Sequence, residues 1–179
     1  MKMVKGLVVA GIAAALLAGC SSNDNSAANT NKPAEQTDVT TTASIVNQAD
    51  AFVNAVGEKG TWIIAILNDL TVDKDVVVAG EFHDKNDSSK DIYRKIALYT
   101  QDEDHNITAS FTLTVPKLTV QSENLRIQGG TVKGDVYVEA NGFNLDKTAT
   151  IDGNLYFANA DVQASAKIDG KVTGATEVK

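Results

Sequence analysis

Residues 44–57 carry apolar side chains at a helical period. Ile45, Ala49, Phe52, Val53 and Val56 fall on one face at i, i+4, i+7, i+8 spacing. Ser44 stands where an N-cap is needed, and Gly57 and Gly60 supply the stop. The pattern predicts one helix at the head of a folded domain, its only helix of any length. After Gly60 the period changes to two. Trp62–Ile66 reads as a buried strand, and Trp62 as core. Val72, Val76 and Val78 follow, then Ile96–Leu98, then Phe111, Leu113 and Val115. These runs are short, β-branched and separated by Asp, Asn, Gly or Ser, the pattern of strands and turns.

The last third repeats. Val132-Lys133-Gly134-Asp135-Val136-Tyr137-Val138 is matched by Ile151-Asp152-Gly153-Asn154-Leu155-Tyr156-Phe157, and more briefly by Ile168-Asp169-Gly170-Lys171-Val172. A second element keeps the same period: Leu125-Arg126-Ile127, Phe143-Asn144-Leu145 and Val162-Gln163-Ala164. Repeats of about 18–20 residues with two or three short strands are the signature of stacked β-coils. One such coil cannot bury its inward residues alone, but stacked coils pair through parallel ladders and pile apolar residues into columns. Gly134, Gly153 and Gly170 recur at one corner, which calls for a residue without a Cβ. The expected fold is therefore all-β: a single-stranded, right-handed β-helix (β-solenoid) over residues 44–179, with one N-terminal capping helix over 44–57. A β-sandwich is the competing reading, but it has no need of glycine at one phase three times.

The head of the chain has a different character. Lys2 and Lys5 precede an apolar run from Gly6 to Leu17, which is shorter than the roughly 18–20 residues of a membrane span. Ala18 and Gly19 follow as small residues. Residues 1–19 thus read as a signal peptide rather than an anchor helix. Residues 20–43 are rich in Ser, Asn, Thr, Ala and Gln and poor in apolar side chains, the composition of a linker that cannot offset its ordering entropy.

Three resemblances refine this reading. Leu17-Ala18-Gly19-Cys20, followed by Ser21-Ser22, resembles the bacterial lipobox. The resemblance implies cleavage before Cys20 and lipidation of its thiol. The expected protein is then a lipoprotein held at the extracytoplasmic face of the cell membrane. The segment from about Thr131 to Gly174 resembles the bactofilin or polymer-forming family, whose β-helix coils associate end to end into filaments. The stretch from Asn47 to Gly80 looks like the opening of pectin-lyase-like β-helices, a family that includes polysaccharide lyases and hydrolases. Their catalytic Asp clusters have no counterpart here: Asp135 follows its corner glycine, whereas Asp152 and Asp169 precede theirs.

Charge and rare residues narrow the function. The net charge is -7, and removal of Lys2 and Lys5 with the signal peptide takes it to -9. No basic stripe with interleaved aromatics is present, so nucleic acid is not an expected partner. Cys20 is the single cysteine, which excludes an intramolecular disulfide and a cysteine-based metal cluster. The two histidines, His83 and His105, lie in charged insertions about one repeat apart. Stacked on one side, these loops would bring together His83, Asp84, Asp87, Asp102, Asp104 and His105. Such a patch would suit Ca²⁺ or Mg²⁺, or Zn²⁺ through histidine. The preferred reading is two solvated loops, with no cofactor beyond the covalent lipid. Tyr137 and Tyr156 occupy equivalent, outward places, where they would stack on each other or offer a ligand-stacking surface to sugar rings. The expected function is a non-enzymatic scaffold or binding module at the cell envelope, its partners the bilayer and surface polysaccharide or a second copy. A carbohydrate-binding or carbohydrate-active β-helix is the alternative.

Overall fold

The computed structural model describes residues 44–179; the expected signal peptide and linker, and Cys20, lie outside the described residues. The described chain is mostly β. In order it forms β1 (Ser44–Ile45), α1 (Ala49–Val56), β2 (Ile63–Ala65), β3 (Leu70–Thr71), β4 (Val76–Val78), β5 (Arg94–Ala97), β6 (Tyr99–Gln101), β7 (Ile107–Ser110) and β8 (Thr112–Val120). There follow β9 (Leu125–Gln128), β10 (Thr131–Val138), β11 (Asn144–Leu145), β12 (Thr150–Asp152), β13 (Leu155–Phe157), α2 (Ala160–Ser165), β14 (Lys167–Ile168), β15 (Lys171–Val172) and β16 (Thr176–Val178).

Two parallel sheets carry the structure. The first runs β1-β2-β5-β9-β11-β14. In the second, the long strands β8 and β10 pair with each other. β3 and β4 pair with β8, while β12 and β13 pair with β10 and lead on to β15 and β16. β6 and β7 form an antiparallel hairpin apart from these sheets. The in-register pairing lines up like residues. Ile64, Ile96, Ile127 and Leu145 form one inward column across the first sheet. Leu113, Val132 and Ile151 form another across the second, with Val136 beside Leu155 and Val138 beside Phe157. All of these are buried and belong to one continuous apolar core. A period of two thus sends alternate residues inward on strands such as β4, β9 and β12, and the repeat period sends like residues to the same column.

Three expectations are corrected. The helix starts at Ala49, not near Ser44, and Ser44 caps nothing: it pairs with Ile64 as part of β1. The chain is extended there because an in-register partner strand satisfies its backbone. Phe52 and Val56 are fully buried, and α1 packs against β2 and β4 as its apolar face requires. Second, Val162-Gln163-Ala164 forms no strand; it lies in α2, whose Asn159 side chain accepts from the Val162 N–H. That N-cap makes a helical turn competitive with extended pairing.

Third, the final repeat is phased differently. Ile151 pairs with Val172 rather than aligning with Ile168, which instead pairs with Leu145 and is 37% exposed. The corner row is therefore Gly134, Gly153 and Gly174. Gly134 adopts a φ of +140°, and a Cβ there would collide with the Val115 carbonyl oxygen; the other two would each meet the glycine backbone before them. Gly170 sits elsewhere, near Asp146 and Ala149. Among the described residues, no helix is long and apolar enough to cross a membrane.

Candidate functional site

The two charged loops are each occupied locally. His83 forms a bridge with Ile92. Its Nδ1 lies 2.7 Å from the Lys90 carbonyl and its Nε2 lies 3.2 Å from Glu81. The Lys90 carbonyl, with Glu81 adding to it, holds the imidazole pKa above its ordinary value. Asp87 accepts from the Ser89 hydroxyl and N–H, which hold its carboxyl low, and Asp84 faces Lys90 at 3.8 Å. In the β6–β7 turn, Asp102 accepts from the Asn106 backbone and side chain, and its carboxyl is likewise held low. His105 takes a positive φ in that turn and lies beside Gln101. Asp104 is exposed in the same turn. Among the described residues no group of His, Cys, Asp and Glu is arranged to hold a metal ion. The residues of the expected common patch, His83, Asp84, Asp87, Asp102, Asp104 and His105, thus lie in two turns, where Asp87 and Asp102 accept from the backbone of their own loops and Asp84 faces Lys90.

Tyr137 and Tyr156 pair in register on the outer face of the second sheet, with ring centroids 4.7 Å apart. Each has a lysine over its ring. Lys117 lies over Tyr137, and Lys179 lies 3.6 Å from the centre of the Tyr156 ring, which is 8% exposed. The Tyr156 ring therefore presents little surface for a sugar to stack on, while Tyr137 stays half-buried.

The outer face of the first sheet has a different arrangement. The register that aligns its inward isoleucines also aligns Lys95, Arg126, Asn144 and Lys167 outward, one per strand. Lys95 donates to the Tyr99 hydroxyl at 2.8 Å. Burial brings its ammonium down to about 8, and the Arg126 charge pushes the same way. Tyr99 and Ile107 from the hairpin cover Ala65 and Ala97 at one end of this face. At the other end, an open groove of about 810 Å3 runs between the 84–93 loop and the strands. Tyr93, Asn124, Arg126 and Asn144 line it, with Asp84 and Asp91 on the loop side.

Arg126 is fixed from behind. Its Nη2 pairs with the Asp146 carboxylate, whose other oxygen accepts from the Thr148 N–H and hydroxyl. Burial opposes ionisation of Asp146, but the Thr148 bonds and Arg126 outweigh it and hold the carboxyl below its usual range. Tyr93 is raised by burial and meets the ring of Trp62 edge-on at 6.1 Å. Two atoms stand out: Arg126 Nε and Asn144 Oδ1 are shielded from solvent and have no hydrogen-bond partner among the described residues. An unpaired buried donor or acceptor costs about 1–3 kcal/mol, so each calls for an explanation.

No family model matches the chain, and neither a curated protein nor a solved structure does. Sequence reasoning did not single out Arg126 or Asn144 as functional. The available signal was their shared phase, since each is the polar middle residue of an apolar-x-apolar repeat. Tyr93, Asp84 and Asp91 join them only through the path of a long loop, which no periodicity predicts.

Proposed function

We propose that this chain is a lipid-tethered, non-enzymatic β-solenoid that serves as a binding module or scaffold on the extracytoplasmic face of the cell membrane. The observation that carries the reading is the parallel ladder: from β8 and β9 onward each segment pairs with one about 18–23 residues further on, as Val132 does with Ile151, longer loops widen the step in the earlier segments, and one apolar core runs through the stack. That arrangement is what successive coils of a β-helix require. In this reading α1 caps the first coil. The solenoid offers long, regular outer faces and leaves its chemistry to side chains placed on them, which suits binding. Arg94 and Asp146, the buried charged groups among the described residues, are taken up by structural hydrogen bonds.

The tether is supported by the lipobox resemblance at Leu17–Cys20 and by the short apolar run before it. Two or three acyl chains anchor stably, at roughly 0.8 kcal/mol per buried methylene. Metabolic labelling with a fatty-acid analogue tests it. Wild type should take up label and fractionate with membranes, and Cys20→Ala should do neither. Equal labelling of both would overturn the tether.

A further inference from the structure

We propose that the groove over Tyr93, Arg126 and Asn144 binds an uncharged oligosaccharide of the cell envelope. The proposal rests on the binding-module reading above and gives it a ligand class. The groove, at about 810 Å3, is within the size range of small-ligand sites. Its polar groups are planar: one guanidinium, the carboxamides of Asn124 and Asn144, and the carboxylates of Asp84 and Asp91. Planar groups offer paired donors or acceptors, and neighbouring sugar hydroxyls, which both donate and accept, match them. Tyr93 is half-buried in the wall and adds an apolar ring for the C–H face of a pyranose.

Charge selects against the alternatives. Asp146 matches the Arg126 charge, Asp84 faces Lys90 and Asp169 pairs with Lys167, which leaves Lys95 against Asp91 and no net positive charge around the groove. The chain is itself acidic, at -7. A phosphate-rich or uronate polymer finds no net positive field here. An uncharged, hydroxyl-rich ligand meets no such repulsion.

The unpaired atoms give the most specific argument. Arg126 and Asn144 are partners in the ladder between β9 and β11. Arg126 Nε is a donor without an acceptor, and Asn144 Oδ1 an acceptor without a donor. A single hydroxyl completes both: its oxygen accepts from Nε–H, and its hydrogen goes to Oδ1. Both atoms are shielded from solvent, so the contact forms with a turn of the Asn144 amide or of the Arg126 stem.

Trp62 is the only tryptophan, and its contact with Tyr93 makes it a reporter on the groove. The full chain, purified in detergent micelles, is titrated separately with cellotetraose, chitotetraose and maltotetraose. At least one should give a saturable change in Trp62 emission. Asn144→Val and Arg126→Met should each weaken that binding by about tenfold, the scale of a lost buried hydrogen bond. Tyr137→Phe, on the other sheet, should leave it unchanged. Asn144→Val removes an unpaired buried acceptor, so its melting temperature should hold or rise, which separates lost binding from unfolding. Failure to bind any of the three sugars, affinity unchanged by both groove variants, or a response confined to polygalacturonate overturns the proposal. Fatty-acid labelling of Cys20 reads the tether independently: label without sugar binding removes the groove assignment alone, and sugar binding without label removes the tether alone.

Discussion

Arg94 shows how one residue can join distant parts of this chain. Its side chain is fully buried, with no ion pair to a carboxylate among the described residues. It donates instead to the carbonyls of Ala55, Gly57, Thr61 and Ala79 and to the Ser122 hydroxyl, and its guanidinium lies 4.0 Å from the centre of the Phe82 ring. Burial lowers its pKa to about 10, so it stays charged at neutral pH. Ala55 and Gly57 are at the C-terminal end of α1, where carbonyls lack helical partners and carry partial negative charge. The arginine thus completes the helix end and ties it to β5. Arg94→Met should cost about 3 kcal/mol or more in urea unfolding, because several buried carbonyls lose their donor together. Arg94→Lys should recover only part of that, having three donors in place of five. A loss below about 1 kcal/mol for Arg94→Met would show that the carbonyls find other partners. None of this is legible in Tyr93-Arg94-Lys95, where two adjacent cations read as a solvated strand start. The information is in the backbone of a helix end nearly forty residues away.

At the level of elements, the inward columns invite a direct comparison. Ile151 is fully buried between Val132 and Val172, whereas Asp152 points out and accepts only from the Thr173 hydroxyl at 3.0 Å. Ile151→Asp should therefore cost several kcal/mol by placing a carboxylate in the core. Asp152→Ala should cost at most about 1 kcal/mol, the worth of one exposed hydrogen bond. Melting shifts of similar size would contradict the register. The repeat was readable where sequence alone fixes spacing, as at Val132 and Ile151, because both faces of a strand report its phase. It misled after Phe157. There Ile168-Asp169-Gly170 imitates the corner pattern, and α2 adds residues that move the true corner to Gly174. The helix was readable in kind but not in extent, because Ile45 fits the helical stripe as well as it fits an edge strand. In the candidate site, the strand residues followed from the repeat, whereas the contribution of the 84–93 loop depended on packing between distant segments.

For the whole molecule, the two ends of the sheets differ. At the head, α1 packs against β2 and β4, and β1 is only two residues long. At the tail, β14, β15 and β16 are the last strands, with Ile168 37% and Val178 44% exposed and lysines at 167, 171 and 179. Short strands and charged edges discourage further pairing. In the proposed reading, with α1 over the head, one uncovered end among the described residues allows a closed two-fold pair but no unlimited chain. Light scattering on a chain beginning at Ala43 should therefore find monomer or a tail-to-tail dimer, and long polymers would show that α1 does not block the head. The same asymmetry has a kinetic side. Each segment of the ladders holds chiefly to its neighbours, so stability passes from one to the next like links in a row. Burial is complete at Ile96 and Ile127, partial at Val172 and slight at Val178. The molecule should come undone as a zipper does, from the last strand towards α1. The tail is the tab that a protease or an unfolding motor would grip first, and the Arg94 knot is where the unravelling would stall.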